Sequence, residues 1–316
     1  MQLDVIVPTY NRHSLLERAL QSLLAADVPA GVEVKITVVD NNSRDNTSTV
    51  VDSFKPRFEG RLNYIFEPNP GKSHALNTGI TATSGELIGM IDDDEEIDRS
   101  WFVRINEIFA DEELDFIGGP YVPRWGAPPP PWLPSRYSGV IGAFNLGPER
   151  RPYGADTTLP GGNVVIRRST LEKLMPYSTV LGPRGDTYLA DEDSDMYLRL
   201  IDSGAKGLYL PDLVIYHYIH PKRLTKQYYR HWCLRRGISS GILDRQHRKP
   251  VPYFLGVPRY LFGEAARASL QILKPPVKDN QDPSERFSSE LCFWALAGFF
   301  YGKHFYRVTQ DSKSVT

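Results

Sequence analysis

Five consecutive carboxylates, Asp92-Asp93-Asp94-Glu95-Glu96, follow directly on the apolar run Leu87-Ile88-Gly89-Met90-Ile91. A run of that length and composition reads as a buried strand, and strands apolar on both faces belong to sheets covered by helices on each side. The acids then sit at the carboxyl end of the strand, where open α/β sheets bind their ligands. Adjacent negative charges repel unless positive charge lies among them, and a divalent cation is its simplest source. Oxygen donors such as Asp94 suit Mg²⁺ or Mn²⁺, ions that commonly carry a substrate diphosphate. Taken alone, such a run reads more readily as a solvated acidic turn, and the rest of the chain decides against that.

The rest of the chain supports an α/β sheet. Leu3 to Val7 reads as a strand, after which Leu15, Leu16, Ala19, Leu20, Leu23 and Leu24 recur at helical spacing. Val34 to Val39 and Leu62 to Phe66 are further strands, with helical segments after Asp45 and over Ser73 to Ala82. This alternation predicts a mostly parallel sheet. The proline-rich stretch Pro123 to Pro134, with Trp125 and Trp132, is too rigid for a helix and reads as a surface loop with a binding face. Asn163 to Ile166 and Leu213 to Tyr216 are later strands, and Glu192 to Ile201 a helix between them.

The chain has 316 residues, 41% hydrophobic and 24% charged, enough for one large domain or a domain with an appendage. Net charge is −1, but residues 222–249 alone carry +8 and leave −9 elsewhere. That basic segment, interleaved with Tyr228, Tyr229 and Trp232, fits an anionic partner. A membrane surface or the phosphate of a lipid-linked acceptor is favoured over nucleic acid, for which no motif is present. The apolar faces that follow could lie in an interface, pack on the sheet or make a dimer contact. Cys233 and Cys292 lack metal or redox spacing. The start Met1-Gln2-Leu3-Asp4 lacks a signal-peptide pattern and the longest apolar stretch, Leu291 to Gly302, is too short to span a bilayer, so a soluble or monotopic cytoplasmic protein is expected.

The segments VIVPTYNR, VVDNNSRDNT, NPGKSHALNTGI, IDDDEE, PGGNVVIRR, DEDSDMYLRL and LPDLVIYHYIHP occur in this order. Together they resemble the family 2 glycosyltransferases with the GT-A fold, over residues 1–220. The resemblance implies a GT-A domain at residues 1–221 and leaves 222–316 as a helical extension. It implies an inverting, metal-dependent transfer from a nucleotide-diphosphate sugar, with UDP expected, to a glycan or lipid-linked hydroxyl in surface polysaccharide synthesis. Asp191 stands where many relatives have Gly, and the last third carries no firmly assigned motif. A sugar-phosphate nucleotidyltransferase is the competing enzyme, but the first turn lacks its Gly-rich loop. A silent, glycan-binding or membrane-binding scaffold is the non-enzymatic alternative.

On that pattern Pro8, Thr9, Asn11 and Arg12 face the nucleotide, although such residues also suit a plain turn into a helix. Asp40, with Asn42 after it, would accept from a nucleobase imide, or else cap the next helix. Lys72 would face phosphate; Gly71-Lys72-Ser73 is no Walker loop, because Pro68-Asn69-Pro70 replaces the required glycine. Asp92 and Asp93 are assigned near the ribose and Asp94 to the metal. His217 is a second metal candidate, with His220 as its alternative, and a core histidine is the other reading. Asp193 is the expected base, Glu192 the runner-up, though acids also simply favour a helix start. Gly161, Gly162, Asn163 and Trp132 are assigned to the donor sugar or the acceptor.

Overall fold

The computed structural model describes residues 1–111, 113–179, 183–184, 187–188, 192–248, 250–273 and 283–306. The chain opens with β1 (Gln2–Thr9), α1 (His13–Ala25), β2 (Glu33–Asp40), α2 (Thr47–Phe54), β3 (Leu62–Phe66), α3 (Lys72–Thr81) and β4 (Leu87–Met90). These four strands pair in parallel, as the alternation predicts. Alternate faces of β1 explain its continuous apolar run. Leu3, Val5 and Val7 enter a core with α1 and α2, while Ile6 enters a second core with Ala75, Leu76 and Ile80 of α3.

Next come β5 (Glu95–Ile97), α4 (Trp101–Asp111), β6 (Phe116–Gly118), β7 (Tyr121–Trp125), β8 (Arg151–Pro152), β9 (Val164–Arg167), α5 (Arg168–Leu174), the two-residue strands β10 (Pro183–Arg184) and β11 (Thr187–Tyr188), α6 (Glu192–Asp202), β12 (Gly207–Tyr209) and β13 (Ile215–Ile219). The main sheet has eight strands in the order β3-β2-β1-β4-β9-β6-β12-β8. Strand β9 runs antiparallel to both β4 and β6. A smaller sheet, β5-β13-β7, sits at the carboxyl end of the first. Its register sets His217 opposite Glu95 and so brings β13 onto the acidic run.

The last part comprises α7 (Lys226–Gln246), the short pair β14 (Tyr253–Phe254) and β15 (Val257–Pro258), α8 (Arg259–Leu273) and α9 (Pro283–His304). Helices α7 and α9 meet on a seam of facing glycines. A Cβ on Gly237 would lie 2.3 Å from the Ala295 carbonyl oxygen, one on Gly241 2.4 Å from that of Phe299, and one on Gly298 or Gly302 2.1 Å from that of Leu234 or Ile238. Only glycine admits backbones this close. The extension joins the body through a core of Val140, Ile141, Ile219, Tyr229, Cys233, Phe287 and Leu291.

Candidate active site

A cavity of about 920 Å³ opens at the carboxyl ends of β1 and β4, and α3, α6, β13 and α7 contribute to its wall. The parallel register of β1 with β2 and β4 places the turn after Thr9 level with Asp40 and beside the acidic run. Asn11 adopts φ +53° there, a left-handed conformation that Asn tolerates. Its amide oxygen accepts from the Arg44 N–H at 2.8 Å and its own N–H donates to the Ser43 hydroxyl at 2.9 Å, tying the first two loops together.

Three side chains bring positive charge among the acids. Arg12 donates to Asp93 at 2.9 Å and to Asp94 at 3.1 Å. Lys72, on the first turn of α3, lies 2.8 Å from Asp92, 3.6 Å from Asp193 and 4.0 Å from Glu192. Arg223, on the turn between β13 and α7, donates to Asp94 at 2.9 Å and to Nε2 of His217 at 3.2 Å. The acidic run also folds on itself, since the Asp92 N–H donates to the Glu95 carboxylate at 2.8 Å.

Environment separates these carboxylates. Burial pushes Asp93 up to about 6, with Arg12 opposing and Asp94 adding to the rise. At Asp94 burial acts upward too, but His217, Arg223 and Arg12 outweigh it and hold the carboxyl well below its usual range. Burial, then Asp92 and Asp94, push Glu95 well up. Glu192 is pushed up to about 8 by burial and by Asp193, against Lys72. Asp193 is also raised by burial, with Lys72 pulling the other way. Burial would lower Lys72, but Asp193, Asp92 and Glu192 hold it well above its ordinary value.

Asp193 has one oxygen, Oδ1, that is buried without a hydrogen-bond partner. It packs against Gly161, where a Cβ would come within 1.9 Å of the carboxylate. Gly162 abuts Glu95 in the same way, at 2.2 Å. A Cβ at either glycine would displace a carboxylate from its place, and both glycines line the cavity.

The family model for glycosyl transferase family 2 matches residues 4–175, more than half of the chain. The chain belongs to this family. Among its relatives, the succinoglycan biosynthesis protein ExoM of Rhizobium meliloti is 24% identical over 243 residues, covering 76% of this chain and 73% of ExoM. Two solved structures share the fold. The mannosyltransferase PcManGT of Pyrobaculum calidifontis, in complex with GDP-Man and Mn²⁺, matches with a TM-score of 0.62 at 19% identity over 95% of this chain and 86% of its own. Residues 1–349 of S. aureus TarS, in complex with UDP-GlcNAc, match with a TM-score of 0.51 at 18% identity over 74% of this chain and 66% of that one.

In this glycosyltransferase Pro8, Thr9, Asn11, Arg12, Lys72, Asp92, Asp93, Asp94, His217, Gly161, Gly162, Glu192 and Asp193 all line the one cavity. Four other expected site residues lie elsewhere. The Asp40 carboxylate accepts from the Tyr64 hydroxyl at 2.7 Å and from the Ser43 N–H at 2.8 Å, as a turn-capping acid does. Asn42 follows it with φ +65°, and its neighbour Asn41 reaches the cavity instead, bound to the Gly71 N–H at 2.6 Å. Asn163 is a buried brace, accepting from Trp101 Nε1 at 2.8 Å and donating to the Leu213 carbonyl at 2.7 Å. Trp132 packs edge-on against Tyr229 and Phe287, in the core that holds the extension. Asp191 lies outside the described residues.

Residues of the extension that the motifs did not flag also line the cavity: Arg223, Tyr228, Trp232 and Arg236. The last three repeat at every fourth position, a single face of α7. That spacing was the available signal. The acidic run pointed to a divalent ion, and the structure supplies part of the needed charge from Arg12, Lys72 and Arg223.

The donor set at Asp94 nonetheless suits a hard or borderline ion. His217 donates from Nδ1 to the Ile141 carbonyl at 3.0 Å, so that Nε2, 3.5 Å from Asp94 Oδ2, is the nitrogen that would carry the lone pair whenever the ring is neutral. Metal-ligating histidines are commonly oriented by such a second-nitrogen bond. Among the described residues no three His, Cys, Asp or Glu side chains are arranged to hold a metal ion. The pair Asp94 and His217 would thus need further ligands from a substrate or water. His220 is turned away, its Nδ1 accepting from the Lys222 N–H at 3.0 Å.

Proposed function

We propose that the cavity binds a nucleotide-diphosphate sugar and transfers the sugar with inversion to a hydroxyl of a glycan or lipid-linked acceptor. The observation that carries this reading is Asp193, a carboxylate lining the cavity whose Oδ1 has no partner while its other oxygen faces Lys72. At pH 7 a carboxyl pushed up to about 8 keeps its proton, so Glu192 is a poor base and Asp193 is left for the task. Asp193 would take the proton of the acceptor hydroxyl as that oxygen bonds to the anomeric carbon and the bond to the diphosphate breaks.

Arg12 and Lys72 would bind the diphosphate. Mg²⁺ or Mn²⁺ held by Asp94 and His217 would neutralise the charge that develops on the leaving diphosphate. The complexes of TarS with UDP-GlcNAc and of PcManGT with GDP-Man and Mn²⁺ support a nucleotide-sugar donor and a divalent ion. ExoM supports a role in polysaccharide synthesis. A thermal-stabilisation screen of nucleotide sugars with Mn²⁺ identifies the donor. The test is then whether an Asp193→Asn variant keeps donor affinity and loses transfer.

We further propose a peripheral contact with a membrane surface. No helix among the described residues is long and apolar enough to cross one. The support is an apolar patch where the β14–β15 turn meets the end of α9: Phe254, Leu255, Tyr301 and Phe305 are all exposed, and His304 Nε2 holds the Leu255 carbonyl at 2.8 Å.

A further inference from the structure

Arg223 stands where a cation between Asp94 and His217 would stand. Its Nη2 donates to Asp94 Oδ2 at 2.9 Å and its Nη1 to His217 Nε2 at 3.2 Å. One guanidinium therefore engages both of the donor atoms that this protein offers a divalent ion. It also brings positive charge within contact distance of the place such an ion would take, where like charges repel strongly. A divalent ion and Arg223 cannot share Asp94 and His217 in this arrangement.

The two arginines on Asp94 are not equivalent. Arg12 is also anchored on Asp93 at 2.9 Å, so losing Asp94 leaves it paired. Among the described residues the partners of Arg223 are Asp94 and His217 themselves. It sits on the short turn Pro221–Arg223, carries a long side chain and lines the cavity. A displaced guanidinium on that wall would meet the anionic diphosphate, and its planar fork of donors suits phosphate oxygens.

We infer that Arg223 is an exchangeable place-holder: it pairs with Asp94 and His217 when the cavity is free, and moves onto the donor's diphosphate when a divalent ion takes those two ligands. The inference rests on the metal-dependent reading above. Its consequence is coupling. An ion alone must evict Arg223 from both partners with no diphosphate in the cavity to receive it. A nucleotide diphosphate alone must attract Arg223 away from a carboxylate that it would leave uncompensated. Together they exchange partners, so each should raise the affinity for the other, and by the same factor.

The test follows Mn²⁺ by the electron paramagnetic resonance of the free ion and nucleotide by calorimetry, in the parent and in Arg223→Gln, with UDP and GDP in parallel titrations. Thermal midpoints check that both proteins are folded. In Arg223→Gln, Mn²⁺ alone should bind about tenfold more tightly, because its competitor is gone, while UDP or GDP in the presence of Mn²⁺ should bind about tenfold more weakly, a coupling loss of ordinary size. Arg223→Lys keeps the charge but cannot bridge both ligands, and should fall between. Opposite signs for the two ligands would not arise from simple damage to the site. Weakening of both, or no change in either, overturns the place-holder role and leaves the metal site standing. Absence of Mn²⁺ binding in parent and variant, with and without nucleotide, removes the metal reading and this inference with it.

Discussion

Glu192 and Asp193 are neighbours in sequence and line one cavity; burial raises the proton affinity of both, and Asp193 adds to the rise at Glu192. The raised proton affinity of Glu192 also bears on stability. Its carboxyl moves from 4.5 to about 8 on folding, so between those values the folded protein holds a proton that the unfolded chain has released. Stability from this group is complete below 4.5 and is lost as the pH climbs to about 8. Glu192→Gln should remove that part of the decline and raise stability at pH 8 by a few kcal/mol at most, since each tenfold change in proton affinity is worth about 1.4 kcal/mol. Urea unfolding of parent and variant at pH 5 and pH 8 checks this; an equal difference at both would contradict it. At this scale the sequence singled out Asp92, Asp93, Asp94, Lys72, Glu192 and Asp193, and the structure brings all six to one cavity. Asn163 was not legible. Its place after two glycines resembled a substrate contact, and only the fold shows the indole of Trp101 that its amide satisfies.

Elements were legible where burial on two faces leaves a continuous apolar run, as in β1, β2 and β4. The three-residue strands β6 and β12 were missed, being too short for any periodicity. The helix α4 was also missed, although Trp101, Phe102, Ile105 and Ile108 repeat on one face of it and are all buried. Glycines Gly237, Gly241, Gly298 and Gly302 lie at four-residue intervals in two separate helices, and nothing local says that the two intervals face each other. Their seam gives a sign test. Alanine usually stabilises a helix relative to glycine by about 0.5–1 kcal/mol. Gly263→Ala on α8, with open space around it, should do so. Gly241→Ala must instead push against the Phe299 carbonyl at 2.4 Å and should cost about 1–3 kcal/mol. Thermal unfolding of both variants decides; a stabilised Gly241→Ala would mean that α7 and α9 are not packed this closely. Because α7 carries Tyr228, Trp232 and Arg236 into the cavity, loosening the seam should also disturb that wall of the cavity.

Across the whole molecule, the basic segment and the cavity turn out to be one structure. Arg230 pairs with Glu290 at 2.5 Å, Arg245 binds the carbonyls that end α9, Arg248 lies over Tyr253, and Arg223 and Arg236 line the cavity. Much of the +8 charge is thus used inside the protein, a division that a count of residues cannot reveal. Binding to vesicles should accordingly depend more on the patch around Leu255 and Phe305 than on salt. A Leu255→Asp/Phe305→Asp variant should lose about tenfold or more in co-sedimentation with anionic vesicles, the worth of one or two buried apolar side chains. A parent that ignores both neutral and anionic vesicles would end the membrane proposal. The central claim is that Asp193 is the base in the cavity that binds the donor. Its most direct measurement is the paired determination, on parent and Asp193→Asn, of donor affinity by calorimetry and of transfer rate with the screened donor and its acceptor. Affinity should stay within about threefold while turnover falls by about 10² to 10⁴, the usual contribution of a positioned base. Turnover near that of the parent in Asp193→Asn would contradict the account.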